Sequence, residues 1–89
     1  MEVRFEASFE RDLKKLKDKR LLKNVKDIID DIKKAQNLDE ISNLSKLKGY
    51  KTFYRIRLGD YRIGIDIIEE ETIVFTRILH RPDIYRYFP

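Results

Sequence analysis

Eighty-nine residues suit one domain and are too few for two separately cored ones, so positions 1–89 are read as a single unit. The lack of cysteine excludes a disulfide framework and a thiolate metal site, which suits a reducing cytoplasm. No apolar run approaches the ~18 residues of a membrane span. The net charge of +4 fits an anionic partner and plain solubility equally well; its distribution is more informative. Glu2 to Glu40 is nearly balanced, whereas Lys46, Lys48, Lys51, Arg55, Arg57 and Arg62 face only Asp60 in the stretch 46–62.

In chain order, Val3, Phe5 and Ala7 alternate with Glu2, Arg4 and Glu6, the period of a half-buried strand. Ser8 then offers a helix cap, with Glu10 and Asp12 suited to the positive end of a helix dipole. Phe9, Leu13 and Leu16 give helical spacing to about Lys17, and Lys19 and Arg20 are placed near a turn. Leu22, Val25, Ile28, Ile29, Ile32 and Ala35 form a second apolar stripe. The two amphipathic segments imply an antiparallel helical hairpin. Residues 37–48 read as a connector pinned by Ile41, Leu44 and Leu47.

From Thr52 the pattern turns from helix to sheet. Segments 52–58 and 61–68 flank Gly59-Asp60, a two-residue hairpin signal in which glycine supplies the positive φ of a primed turn. A third strand, 72–79, follows Glu69-Glu70-Glu71 and stops before Arg81-Pro82, since proline donates no ladder bond. The order β-α-α-β-β-β predicts an α+β fold with a four-stranded sheet: an N-terminal strand, the helical hairpin and a three-stranded antiparallel meander. The tail 85–89 is too short to classify.

The turn at 59–60 also predicts a register, with Arg57 opposite Arg62 and Arg55 opposite Gly64. Alternation then puts Tyr54, Ile56, Leu58, Tyr61, Ile63, Ile65 and Ile67 on a core wall. Arg55, Arg57, Arg62, Gly64 and Asp66 fall on the other face. Facing arginines cost stability unless an anion neutralises them. Asp66 is expected to relieve Arg55, and Gly64 to leave a shallow depression beside it. A two-residue turn at Glu70-Glu71 would add Arg77 to this face, and a three-residue loop would move it away.

The face reads either as ordinary solvated surface or as a phosphate-binding groove, because arginine forks match phosphate oxygens. Tyr50, Phe53, Tyr85 and Tyr87 could stack unpaired bases, with core packing an equal claim for the first two. His80, the sole histidine, cannot form a metal site unaided. No glycine-rich phosphate loop, nucleophile elbow or cysteine nucleophile occurs, and no cofactor or metal is implied.

Leu47-Lys48-Gly49, Tyr54-Arg55-Ile56-Arg57-Leu58-Gly59-Asp60-Tyr61-Arg62-Ile63 and Ile78-Leu79-His80-Arg81-Pro82-Asp83-Ile84-Tyr85 together resemble the RelE/ParE toxin superfamily over nearly the whole chain. The resemblance, nearer to the RelE branch, implies a RelE-like fold and a cytoplasmic type II toxin. Such a toxin is a metal-independent endoribonuclease that cuts mRNA on the ribosome and inhibits translation, with a cognate antitoxin as partner. It implies catalytic roles for Arg55, Arg57 and Arg62, for Arg81 and Tyr85 at a less fixed spacing, and an acid/base role for His80. Lys48, Lys51, Arg77 and Tyr87 would then contact RNA. The implied chemistry is attack of a ribose 2′-hydroxyl on the adjacent phosphate. Many RelE relatives carry lysine where this chain has Arg55 and Arg57, and arginine does not give up its proton. The general base thus stays open among His80, Tyr85 and the ribosome or substrate. A ParE-like gyrase poison and a catalytically silent antitoxin-binding member are the alternatives.

Overall fold

In a computed structural model, described for residues 1–69 and 71–89, the chain runs β1 (Glu2–Phe5), α1 (Ala7–Lys15), α2 (Lys19–Lys34) and β2 (Leu44–Lys46). It continues through β3 (Phe53–Leu58), β4 (Tyr61–Ile68), β5 (Thr72–His80) and α3 (Arg81–Tyr87). The sheet has five strands, not four, in the order β1-β5-β4-β3-β2. The added strand, Leu44-Ser45-Lys46, lies within the expected connector and pairs antiparallel with β3. A second correction concerns the segment that starts at the Arg81-Pro82 strand stop and runs into the unclassified tail: Arg81–Tyr87 form a helix.

The β3–β4 hairpin has the expected register throughout: Arg55 pairs with Gly64, Arg57 with Arg62 and Leu58 with Tyr61. Gly59 takes φ +56, the left-handed value that the tight turn demands and that glycine accepts without steric cost. The wall expected on the helix side is present, with Ile56, Ile63, Ile65 and Ile67 buried beside Phe9, Val25, Ile32, Ile73, Phe75 and Ile78. Each fully buried aliphatic side chain contributes ~1.5–3 kcal/mol. Tyr54, Leu58 and Tyr61 pack on this core at its margin.

β1 runs parallel to β5, from Glu2 opposite Thr72 to Phe5 opposite Phe75. The expected turn at Glu70-Glu71 involves residue 70, which lies outside the described residues. On either side the pairing closes at Ile68–Thr72, so three residues separate the partners, and a register shift follows between Gly64 and Ile65. That bulge inserts one extra residue in β5, Thr76, and returns Arg77 to a position opposite Gly64. The expected neighbour is reached by a different route.

The helix boundaries shift for local reasons. Ser8 does not cap α1; its Oγ donates to the Thr76 carbonyl at 2.6 Å, so it ties α1 to the bulge. Lys19 and Arg20 belong to the first turn of α2 rather than to a link. Asp18 caps that helix, its Oδ1 accepting from the amides of Arg20 at 2.9 Å and Leu21 at 3.2 Å. Asp12 is buried on the apolar stripe of α1. No helix among the described residues is long and apolar enough to cross a membrane.

Candidate functional site

The sheet face opposite the two long helices carries the arginines, and α3 lies against its β4 and β5 strands. The β3–β4 turn positions that helix, because the Arg81 amide donates to the Asp60 carbonyl at 2.7 Å. Arg81 is thereby brought to the neighbourhood of Arg62. Arg62 itself is only 8% exposed, a departure from the solvated arginine expected there. Its Nη1 donates to the carbonyls of Gly59 and Tyr61, both at 2.8 Å. Burial, then the charges of Arg55, Arg81 and Arg57, hold its pKa below the ordinary guanidinium value, and Asp60 opposes them only in part.

Arg55 occupies the centre of the face. Its guanidinium carbon lies 5.3 Å from the Tyr85 ring centroid, a cation–π distance. Two cavities meet at this residue. One, about 330 Å3, is lined by Asn43, Leu44, Ser45, Arg55, Arg57 and Arg62. The other, about 340 Å3, gathers Lys46, Lys48, Tyr50, Arg55, Tyr85 and Phe88. The result is a cationic groove on both sides of Arg55 with exposed aromatic rings, Tyr50 and Tyr85, at one end. Lys51 is exposed in the loop before β3.

Asp66 does not relieve Arg55: the ion pairs found among the described residues are Arg4–Glu2 and Arg77–Asp12. The Asp66 Oδ1 is buried without a hydrogen-bond partner. Nor does Gly64 leave an open depression, since the Phe88 ring fills the space where a side chain would stand.

Three expected site residues lie elsewhere. His80 pairs with Tyr61, on the face of Ile63 and Ile78, and its ring meets Tyr61 edge-on at 5.5 Å. Arg77 is held by Asp12 at the edge of β5, Nε to Oδ2 at 2.8 Å and Nη2 to Oδ1 at 3.1 Å. This pairing raises its pKa. Tyr87 stands over Arg77 at 6.0 Å and lines a separate cavity with Asp12, Lys15 and His80. Asp12, expected to serve the α1 dipole, instead holds Arg77 and the Ile78 amide, and Phe88 had no assigned role. The signal for Asp12 was present, since it follows Phe9 by three residues and precedes Leu16 by four, inside the buried stripe.

A further cavity, about 560 Å3, lies between α2 and β3 and is lined by Asp27, Asp31 and Glu40 as well as by Lys34 and Arg57. Among the described residues no three histidines, cysteines or carboxylates are grouped to hold a metal ion.

Fold and site together define a small α+β protein whose sheet gathers guanidinium groups on the face opposite its two long helices. The model of the ParE toxin of type II toxin–antitoxin systems matches residues 3–85. Toxin RelE3 of Methanocaldococcus jannaschii is 42% identical over 90 residues, covering 100% of both chains. In the RelB–RelE antitoxin–toxin complex from Methanococcus jannaschii, the matched chain is 41% identical with a TM-score of 0.80 over 97% of this chain and 99% of that one. The RelBE2 complex from Mycobacterium tuberculosis matches at 28% identity and a TM-score of 0.68, over 90% of this chain and 96% of that one. The chain belongs to the ParE toxin family of type II toxin–antitoxin systems, within the RelE/ParE superfamily and on its RelE-like side.

Proposed function

We propose that this toxin is an endoribonuclease that cuts mRNA in translating ribosomes and is silenced by a cognate antitoxin. The observation that carries the reading is the convergence of Arg55, Arg57 and Arg62 on one cavity, with the charge of Arg81 also acting on Arg62. A pentacovalent phosphate gains charge as it forms, and fixed cations stabilise that state more than the starting ester. Arg62, anchored to two carbonyls, supplies a preorganised charge behind Arg55 and Arg57, which reach the groove.

Tyr85, beside Arg55, is the group in position to deliver its phenolic proton to the departing 5′ oxygen. Arginine cannot accept the 2′-hydroxyl proton, and His80 lies on the opposite face. We therefore assign that step to an oxygen of the substrate or to the ribosome. The products would be a 2′,3′-cyclic phosphate and a free 5′-hydroxyl. Lys48, Lys51 and Tyr50 would hold the flanking strand by charge and stacking.

Complexes of RelE relatives with RelB have been solved, and a comparable antitoxin would lay an acidic or amphipathic segment across the arginine face. The test is to map mRNA ends in a reconstituted translation reaction containing the purified chain, with and without translation. Cuts that require translation and vanish with Arg55→Ala support the reading. Intact mRNA with DNA breaks would replace it by a ParE-like action on gyrase; harmless expression would leave an antitoxin-binding protein.

A further inference from the structure

The register places Arg55, Gly64 and Arg77 side by side across β3, β4 and β5. Each meets an aromatic ring from the C-terminal segment. Tyr85 stands over Arg55, Tyr87 over Arg77, and Phe88 over Gly64 between them. A Cβ built on Gly64 would lie 2.6 Å from Phe88 Cγ and 2.7 Å from both Cδ atoms. Any side chain there displaces the ring. The outer two rings are exposed, at 60% for Tyr85 and 53% for Tyr87, whereas Phe88 is 3% exposed and meets Phe53 edge-on at 5.6 Å.

A seven-residue helix does not hold its shape unaided, since isolated helices below ~12–15 residues are marginal in water. α3 therefore depends on what fastens its two ends. Its start is fastened by the Arg81 amide on the Asp60 carbonyl, and its end by Phe88, whose amide also donates to the Ile84 carbonyl at 2.9 Å. Ile84 is buried, one turn before Phe88.

We propose that Phe88 seated on Gly64 is the latch that docks α3, and that both are positioning residues for Tyr85 and Arg81. The proposal rests on the reading of the arginine groove as the reaction site. Gly64 has no side chain because a ring must reach the sheet backbone there. Tyr85 reaches Arg55 because Phe88, three residues on, fixes the helix at its far end. With the latch open, Arg55 and Arg57 remain in the sheet but lose the phenol and the Arg81 charge.

The test compares the wild-type chain with Gly64→Ala, Phe88→Ala, Phe88→Leu and the double variant G64A/F88A, by amide hydrogen exchange, ring NMR signals and mRNA cleavage. Gly64→Ala and Phe88→Ala are expected to speed exchange in residues 84–88 by about 10-fold or more while Ile63 and Ile65 stay protected. Both should shift the Tyr85 ring signals and lower the cleavage rate constant by about 10²-fold at saturating substrate. Phe88→Leu should recover part of each change. The double variant should match Phe88→Ala, because the clash disappears with the ring.

Exchange in 84–88 that stays slow in Gly64→Ala overturns the latch. An undocked helix with an unchanged cleavage rate overturns the positioning role. If the wild-type chain cuts no mRNA, the function proposed above fails, and exchange with the Tyr85 ring shift still decides the latch.

Discussion

Arg77 and Arg55 flank the same glycine on the same side of the sheet, yet the fold treats them in opposite ways. Arg77 receives a buried carboxylate on α1 in a two-point grip. The same Asp12 Oδ2 accepts the Ile78 amide at 3.0 Å, just where β1 has ended and β5 would otherwise lack a partner along that edge. Around Arg62, by contrast, stand Arg55, Arg81 and Arg57, and Asp60 is the acid that opposes them there. Where a cation holds the structure together, the chain supplies the counter-ion. The contrast does not follow exposure, since among the described residues the half-buried Arg77 is ion-paired and the buried Arg62 is not.

The sharpest way to break the contrast is Asp12→Ala. It strands a partly buried guanidinium and the Ile78 amide, and such losses cost ~3–5 kcal/mol. A quarter of the Arg77 side chain is in water, which reduces the expected cost to about 3 kcal/mol in urea unfolding of the purified chain. The raised Arg77 pKa means that the guanidinium side of the pairing is lost only as pH rises through the arginine range. The deficit should therefore be flat across neutral and mildly alkaline pH.

Arg55→Ala should do the reverse. Cleavage is expected to fall about 10²-fold, with unfolding free energy changed by less than ~0.5 kcal/mol. A loss of stability comparable to that of Asp12→Ala would erase the distinction. Next in size is stabilisation by ligand: a short single-stranded RNA at about 30 times its Kd should add ~2 kcal/mol to unfolding. That gain should shrink steeply in about 1 M salt, where charges are screened beyond ~3 Å. Smallest is Arg57→Gln, which removes one of two like charges facing each other across strands. It should stabilise the chain by up to ~0.5 kcal/mol while lowering the salt dependence of RNA binding by roughly 0.7 in slope.

Legibility from sequence followed the strength of the local signal. The Gly59-Asp60 turn, with a strict two-residue alternation on either side, specified the whole β3–β4 pairing and with it the arrangement of Arg55, Arg57 and Arg62. β2 escaped because three residues, Leu44-Ser45-Lys46, carry no readable period. α3 escaped because its proline looked like a stop, although proline is well suited to the first turn of a helix. Arg62 was placed on the correct face, but its burial depends on what lies over that face. The expected pairing of Asp66 with Arg55 failed for a related reason: position in a ladder does not report which way a carboxylate turns. Asp12 and Phe88 act across more than sixty and twenty residues of chain, on Arg77 and Gly64, and no short-range pattern reaches that far.

The parallel pairing of β1 with β5 has a consequence for how the chain comes into being. Glu2 finds its partner at Thr72, so the opening strand emerges from a ribosome long before anything exists for it to pair with. Contacts of such sequence separation slow folding. The groove is later still, needing Arg81 and Tyr85 in place beside the hairpin. The cationic face is thus completed only after the sheet that carries it has been made.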